Sequence, residues 1–300
     1  MVNLKLTLVS VLRNILEYIP FFFLGKVIEL FGLNLSRKFS IILTFVFFYF
    51  IPIRKQVVFE NLRKAFPEKE EKEIKKIAFG CYRSVIISFF EIMCMQKMDR
   101  REIINMLNVD NADLIVKSYQ DGKGVILLSA HFGNWELIAT SVSARINIPF
   151  HVVVKHQSNP YVDRKINGIR IKWGNEIVSL GISIRNIYKE LKNKNLVAMV
   201  ADQRGPADGL RIKFFGLETA IYSGPAILAI KTGAPLIYGI TIRQPDFKYK
   251  VILEKINLEN LPDYEEEKIK EVCQRLASFL EKYVRQNPEQ WLWMHKIWKY

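Results

Sequence analysis

Gly124-Val-Ile-Leu-Leu-Ser-Ala-His-Phe-Gly-Asn-Trp-Glu-Leu-Ile-Ala-Thr140 is the stretch whose reading decides the fold. Val125 to Ala130 is a short apolar run after a glycine, as in a strand buried on both faces of a parallel sheet. His131 stands where that strand ends. Gly133 and Asn134 supply a tight turn, with Asn134 placed to cap a helix from Trp135 onward. A histidine thus sits at the carboxyl end of a strand, and Glu136 lies in the first helical turn, where free N–H groups and positive partial charge collect. In open α/β sheets this end of the strands binds ligands. A lone histidine after an apolar strand is more often structural than catalytic, so the rest of the chain has to decide.

Outward from this unit the same pattern recurs. Phe150 to Val154 reads as a second strand, and Asn159-Pro160 opens a helix through Trp173. Ile177-Val178 suggests a short strand and Ile182 to Lys192 a helix. Leu196 to Ala201 is another buried strand, and its end delivers Asp202-Gln203-Arg204. Asp202 is either a turn former or a group facing the same cleft as His131. Gly224-Pro225 opens a helix to Lys231. Pro235 to Ile242 and Tyr249 to Lys255 read as closing strands, and Tyr264 to Arg285 as a long amphipathic helix. Upstream, Arg54 to Ala65 and Glu68 to Met95 have helical spacing, Lys97 to Asn111 reads as a linker with short helical character, and Val109 to Gln120 reads as a helix. The fold class expected is α/β, with residues 54–300 as the main domain.

Residues 1–53 differ in character. Positions 4–35 are rich in Leu, Ile, Val and Phe but carry Lys5, Arg13, Glu17, Lys26 and Glu29. That predicts amphipathic helices on or in a membrane, divided at Pro20. Phe39 to Ile53 is uncharged but shorter than the roughly 20 residues of a straight span. No small-residue cleavage site follows the apolar core, so the segment is expected to remain as an anchor.

Composition narrows the function. Half of the 300 residues are hydrophobic, and 44 Lys+Arg against 30 Asp+Glu give a net charge of +14. Such a chain suits an anionic membrane surface, an acidic protein partner or a phosphorylated substrate. No nucleic-acid-binding motif is visible, and nucleic acid is not the expected partner. Cys81, Cys94 and Cys273 form no C-x-x-C pair and read as reduced thiols. The four histidines fit no zinc pattern, and a G-x-S-x-G elbow is missing, which argues against a metalloenzyme or serine hydrolase.

His-Phe-Gly-Asn-Trp-Glu, placed between strand and helix, resembles the H-x4-D/E signature of the glycerolipid acyltransferase superfamily. Its wording is similar to the late acyltransferases of lipid A biosynthesis, the lauroyl/myristoyl transferases. Further blocks resemble the same family in the same order: Asn-Leu-Arg-Lys-Ala-Phe-Pro67, Asn159-Pro-Tyr-Val-Asp-Arg164, Met199-Val-Ala-Asp-Gln-Arg204, Arg211-Ile-Lys-Phe-Phe-Gly216, Ser223-Gly-Pro-Ala226 and the tail Pro288-Glu-Gln-Trp-Leu-Trp-Met-His295. Two positions depart from it. Lys155 stands where an arginine is common, and Ile221 lies where a threonine is usual. Lysine keeps the charge but loses bidentate phosphate geometry.

The resemblance implies an αβα sandwich with a mixed, largely parallel sheet and an N-terminal membrane-associated segment. It also implies a bacterial inner-membrane enzyme with its catalytic domain on the cytoplasmic face. The reaction implied is acyl transfer from an acyl carrier protein thioester, carried on phosphopantetheine, to a hydroxyl of a lipid A precursor, with no metal and no further cofactor. A hydroxyl needs a base, and a neutral imidazole with a carboxylate fixing its tautomer fits. His131 is assigned as base, with either Glu136 or Asp202 as its carboxylate; in the second case Glu136 would pair Arg164. Backbone N–H groups around Gly133 to Trp135 are candidate oxyanion donors. Asn134, Lys155, Arg164, Gln203, Arg204 and Arg211 are candidate substrate contacts, the arginines through phosphate. A lysophospholipid or a glycolipid mannoside remains open as acceptor. A non-catalytic lipid-binding or tethering protein is the competing class, which the intact His131/Glu136 pair disfavours. His295 receives no catalytic role, and the tail reads as packing or an interfacial aromatic belt.

Overall fold

The computed structural model describes residues 2–180 and 184–299, with side chains from residue 10 onward. Its elements in chain order are α1 (Val2–Tyr49), α2 (Lys55–Ala65), α3 (Glu71–Met95), α4 (Arg100–Asn105), β1 (Leu107–Val109), α5 (Asp113–Gln120), β2 (Val125–Ser129), α6 (Trp135–Ile146), β3 (Phe150–Val154), α7 (Pro160–Ile171), β4 (Glu176–Ser179), α8 (Ile184–Lys192), β5 (Leu196–Val200), β6 (Arg211–Phe214), β7 (Leu217–Ala220), α9 (Gly224–Thr232), β8 (Leu236–Arg243), β9 (Tyr249–Lys255) and α10 (Glu265–Gln286). The start expected for α8, at Ile182, lies outside the described residues.

Seven strands form one sheet in the order β1-β9-β8-β2-β5-β3-β4. The run β8-β2-β5-β3-β4 is parallel throughout, β9 runs antiparallel to β8, and β1 pairs parallel with β9. The mixed, largely parallel sheet therefore matches expectation. Alternate residues of each central strand face different cores. Ile126, Leu128, Val197, Met199, Leu236 and Tyr238 join one cluster with α9 and α10. Val125, Leu127, Leu196, Ala198 and Ile237 join the other with α6 and the end of α3. Burial on both faces is why these strands read as unbroken apolar runs.

Two elements were not anticipated. β1 lies in the stretch read as a linker and takes Val109 from the helix expected to start there, which begins at Asp113 instead; three residues carry no periodicity, and the register with Tyr249–Val251 makes them a strand. The β6/β7 hairpin turns through Phe215 and Gly216, both at positive φ (53° and 75°). Its aromatic residues pack on Trp291 and Trp293 of the tail.

The N-terminal segment also departs from expectation. α1 runs through Pro20 and breaks instead at Gly32, where φ is 72° and ψ 169°. Pro20 is exposed, and its missing N–H costs one hydrogen bond without forcing the chain to turn. Gly32 takes a backbone conformation that side-chain-bearing residues avoid. The helix is inside-out. Gly25, Ile28, Ser36, Arg37, Ser40, Thr44 and Phe48 face the protein at helical spacing. Leu12, Leu16, Phe23, Leu30, Phe31, Phe39, Ile42 and Phe45 are exposed. Ser40 and Thr44 satisfy their hydroxyls on carbonyls one turn back (2.6 and 2.7 Å). α1 is pinned to the domain by buried polar contacts. Glu29, 2% exposed, meets Lys26, Lys97 and Lys165 at 2.9, 3.2 and 3.7 Å, and Arg37 meets Glu91 of α3 at 2.7 Å. Among the described residues only α3 is long and apolar enough to cross a membrane, and 56% of its apolar window is buried in the protein.

Candidate active site

β2 and β5 are parallel neighbours in register, with Ser129 opposite Val200. Two residues beyond each lie His131 and Asp202, so the ladder itself sets them side by side. His131 Nδ1 is 2.6 Å from Asp202 Oδ1, and the His131 backbone N–H donates to Oδ2 at 2.8 Å. Trp291 Nε1–H donates to the same Oδ2 at 2.8 Å. With the Nδ1 proton directed at the carboxylate, Nε2 is the basic nitrogen. Asp202 is 1% exposed and His131 19%.

Burial opposes protonation of His131, but the Asp202 charge and hydrogen bond outweigh it and lift the imidazole above its ordinary value. Burial likewise works against the Asp202 carboxylate, while His131 and Trp291 hold it below the usual range.

Glu136 does not reach for His131 as its partner. Arg170 of α7 grips it bidentately, Nε to Oε2 at 2.9 Å and Nη2 to Oε1 at 2.5 Å. The alternative that gave Glu136 an arginine had the right chemistry and the wrong residue, since Arg164 is exposed on α7. The two lie six positions apart, and the helix turn selects the one facing α6.

Asn134 is also used differently. Its side chain caps nothing at α6. It is fully buried, and Nδ2 donates to Glu91 Oε2 at 3.0 Å. Glu91 collects Arg37 Nε and Nη2 (2.9 and 2.7 Å) and the Tyr249 hydroxyl (2.5 Å). Arg243 then ties Tyr249 and Ser88 together (2.7 and 2.8 Å), and the Ser88 hydroxyl donates to the Gly133 carbonyl (2.6 Å). The loop after His131 is therefore braced from α1, α3 and the sheet at once. Gly133 has φ 55°, and a Cβ there would lie 2.1 Å from the Thr241 carbonyl, so only glycine allows the loop this close to β8. The Gly133 N–H donates to the Gln290 carbonyl at 2.9 Å, which removes it from the expected oxyanion donors. The amides of Trp135 and Glu136 open α6.

The tail closes the site. Phe132 bridges to Trp291, and the Leu292 N–H donates to the His131 carbonyl at 3.0 Å. The His295 ring centroid is 5.7 Å from that of His131. Burial and the neighbouring His131, Arg54 and Arg204 charges pull His295 down to about 4. Trp291, Arg170 and Glu91 are the site residues that sequence reasoning missed. The terminal Pro-Glu-Gln block was the one signal for Trp291.

Of the remaining candidates, Gln203 and Arg204 line a polar cavity with His295. Lys155 is exposed beyond β3. Arg211 turns back to the Ala207 carbonyl at 2.9 Å and lines neither cavity at the site. A second, narrow cavity of about 40 Å³ starts at Asp202 and is walled by apolar groups, including Ile212, Phe214, Tyr238, Leu276 and Leu280. The three thiols are buried, with Cys81 and Cys273 pushed up to about 12 and Cys94 to about 11, so none is primed as a nucleophile.

Comparison with known proteins bears on this geometry. The family described as bacterial lipid A biosynthesis acyltransferase matches residues 5–300. The lipid A biosynthesis lauroyltransferase of Escherichia coli K12 is 25% identical over 253 residues, 83% of this chain and 80% of that protein. The lipid A biosynthesis palmitoleoyltransferase of the same organism is 21% identical over 252 residues, with the same shares. The phosphatidylinositol mannoside acyltransferase of Mycolicibacterium smegmatis is 26% identical over 150 residues, 49% of each chain.

Proposed function

Because the chain belongs to the bacterial lipid A biosynthesis acyltransferase family, and so is an acyltransferase acting on a lipid, we propose that it moves a fatty acyl group from an acyl carrier protein thioester to a hydroxyl of a lipid A precursor, with His131 as general base. The observation that carries this reading is the pairing of His131 Nδ1 with the buried Asp202 carboxylate, which leaves Nε2 to accept a proton.

The acceptor hydroxyl oxygen attacks the thioester carbonyl while His131 Nε2 takes its proton. Asp202 stabilises the imidazolium that forms. The oxyanion is received by the first amides of α6, Trp135 and Glu136, at the positive end of the helix. Collapse breaks the C–S bond, and the imidazolium returns its proton to the departing thiolate of phosphopantetheine. The products are an ester and a free thiol, and His131 is neutral again. The apolar cavity below Asp202 is the place for the acyl chain; at about 40 Å³ it has to widen by side-chain movement to take one. Neither Lys155 nor Arg164 touches this centre, and any contact they make is with the periphery of a large substrate.

Residues 1–53 are the membrane-associated part of this reading, and residues 54–300 the acyltransferase domain. Gly25, Ser36, Arg37, Ser40 and Thr44 share the inward face of α1 with Ile28 and Phe48, while large apolar groups crowd its outward face, which is costly in water and favourable against lipid. The apolar flank and the +14 charge together suit an anionic bilayer on the cytoplasmic side of the inner membrane. An acidic carrier protein is drawn to the same field.

Acyl transfer by the detergent-purified protein tests this. Labelled acyl-carrier-protein thioester is offered with a tetraacyl disaccharide lipid A precursor, a lysophospholipid or a phosphatidylinositol mannoside, with His131→Ala as the blank. Label on the disaccharide is the expected result. Label on the mannoside alone would keep the mechanism and move the acceptor to that of the mycobacterial relatives. Lipid binding without transfer to any acceptor would favour a tethering protein.

Arg170 offers a second check. Its charge opposes protonation of His131, and Glu136 favours it. Arg170→Met keeps the aliphatic stem but removes the opposing charge, so His131 protonates more readily. A protonated base is inactive, and the acid limb of the pH–rate profile should move to higher pH. A limb that stays in place, or moves down, would mean the pair is not sensed at His131.

A further inference from the structure

A cavity of about 400 Å³ is lined by Arg54, Arg204, Lys296, Lys299, His295 and Gln203. It is linked to the His131–Asp202 pair through Gln203, next to Asp202, and His295, whose ring centroid is 5.7 Å from that of His131. Its size is that of a small-ligand site. Among the described residues no carboxylate lines it. The Arg54 Nη1 partner is a neutral group, the Met294 carbonyl at 3.0 Å.

Two further observations point to an anionic occupant. Arg54 takes a left-handed backbone conformation, φ 54°. It is also the N-cap of the eleven-residue α2, and no side chain caps that end, so the first-turn amides add positive partial charge at the cavity wall. The Nε2 atom of His295 is buried and has no hydrogen-bond partner among the described residues. Burial, together with the charges of His131, Arg54 and Arg204, keeps that ring neutral, with a value of about 4, so it can donate one hydrogen bond without titrating near pH 7. An anion entering the cavity would meet this excess of positive side chains.

We propose that this cavity is a phosphate-binding site for one of the two substrates of the acyl transfer: a phosphate on the sugar headgroup of the acceptor, or the phosphodiester of the donor's phosphopantetheine arm. The proposal rests on the functional reading above for its substrates but not for its anion chemistry. Either phosphate would anchor a substrate within reach of Nε2 of His131, which is how binding far from the reacting atoms is turned into orientation.

The test uses the full-length protein in detergent and a Lys296→Gln/Lys299→Gln variant. Both lysines are exposed, so the variant is expected to fold. Lys189→Gln/Lys192→Gln on α8 removes equal charge elsewhere and serves as the control. Inorganic pyrophosphate is titrated calorimetrically into each. The expected result is saturable binding that weakens at least tenfold in the first variant and not in the control.

Turnover is then measured with phosphorylated and dephosphorylated acceptor, and with acyl-phosphopantetheine and acyl-pantetheine as donors. A preference for the phosphorylated acceptor that shrinks tenfold in the variant, through KM rather than kcat, assigns the site to the acceptor. The same loss confined to the donor pair assigns it to the phosphopantetheine arm. Equal pyrophosphate binding in all three proteins would overturn the proposal. So would substrate preferences unchanged by the variant. If no acceptor is acylated at all, the functional reading has failed, and the calorimetry still decides whether the site binds phosphate.

Discussion

Asp202→Asn should lower acyl transfer by about 10³–10⁴-fold while leaving the protein folded. The amide is nearly isosteric, and its oxygen can still accept from the His131 backbone N–H and from Trp291 Nε1–H, both of which now meet Oδ2 at 2.8 Å. Its NH₂ group then occupies the position of Oδ1, 2.6 Å from His131 Nδ1. A donor there demands an acceptor, so the imidazole must carry its proton on Nε2. In the proposed mechanism that nitrogen faces the substrate, and a protonated Nε2 is no base. The loss should fall on kcat, since Asp202 is buried and, in the proposed mechanism, holds the base rather than the substrate. The pH profile gives a second signature. In the wild type, His131 is raised above its ordinary value of 6.5, and the acid limb should lie above that pH. Removing the carboxylate removes the cause, so whatever activity remains should titrate at lower pH. Steady-state transfer across pH, with a thermal melt as a folding control, decides it. Full activity in Asp202→Asn would return the orienting role to Glu136.

Glu91→Ala should destabilise the protein by roughly 3–5 kcal/mol, the cost of breaking a buried ion pair by removing one partner. Glu91 is fully buried, and Arg37 is 9% exposed. Without the carboxylate, the described residues leave Arg37 the Phe247 carbonyl at 3.1 Å and the face of the Phe247 ring, but no opposite charge in contact. Asn134, Tyr249 and Arg243 lose their common acceptor or neighbour in the same step. Glu91→Gln should cost less, because an amide still accepts from one or two of these donors but cannot balance the guanidinium. Denaturant unfolding of both variants is the measurement. Activity should fall with stability, since the same carboxylate holds Asn134, three residues past His131. A Glu91→Ala protein as stable as the wild type would mean that Arg37 finds water or lipid headgroups instead, and that α1 does not depend on this pair for docking.

The strand-turn-helix unit at His131 was legible because each part has a local cause: an apolar run long enough for one strand, a glycine where only glycine fits, and a helical period after it. Most of the other central elements could be read for the same reason. β1 and the β6/β7 hairpin could not, because their stability comes from partners distant in the chain. The Pro20 break was expected from propensity alone. The chain broke instead at Gly32, between the stretches of α1 that meet Glu29's lysines and Glu91.

By itself the sequence determined the class of protein, the two buried strands that end in His131 and Asp202, and the family those words belong to. Only the tertiary structure decided which carboxylate pairs with the histidine. Spacing along the chain favoured Glu136, five residues away. The sheet order puts β5 beside β2 in register, so a residue 71 positions distant lies at 2.6 Å, while Arg170 takes Glu136 out of contention. Strand order is settled by how crossover helices pack on a twisted sheet, a sum over many weak long-range contacts that no local window of sequence contains.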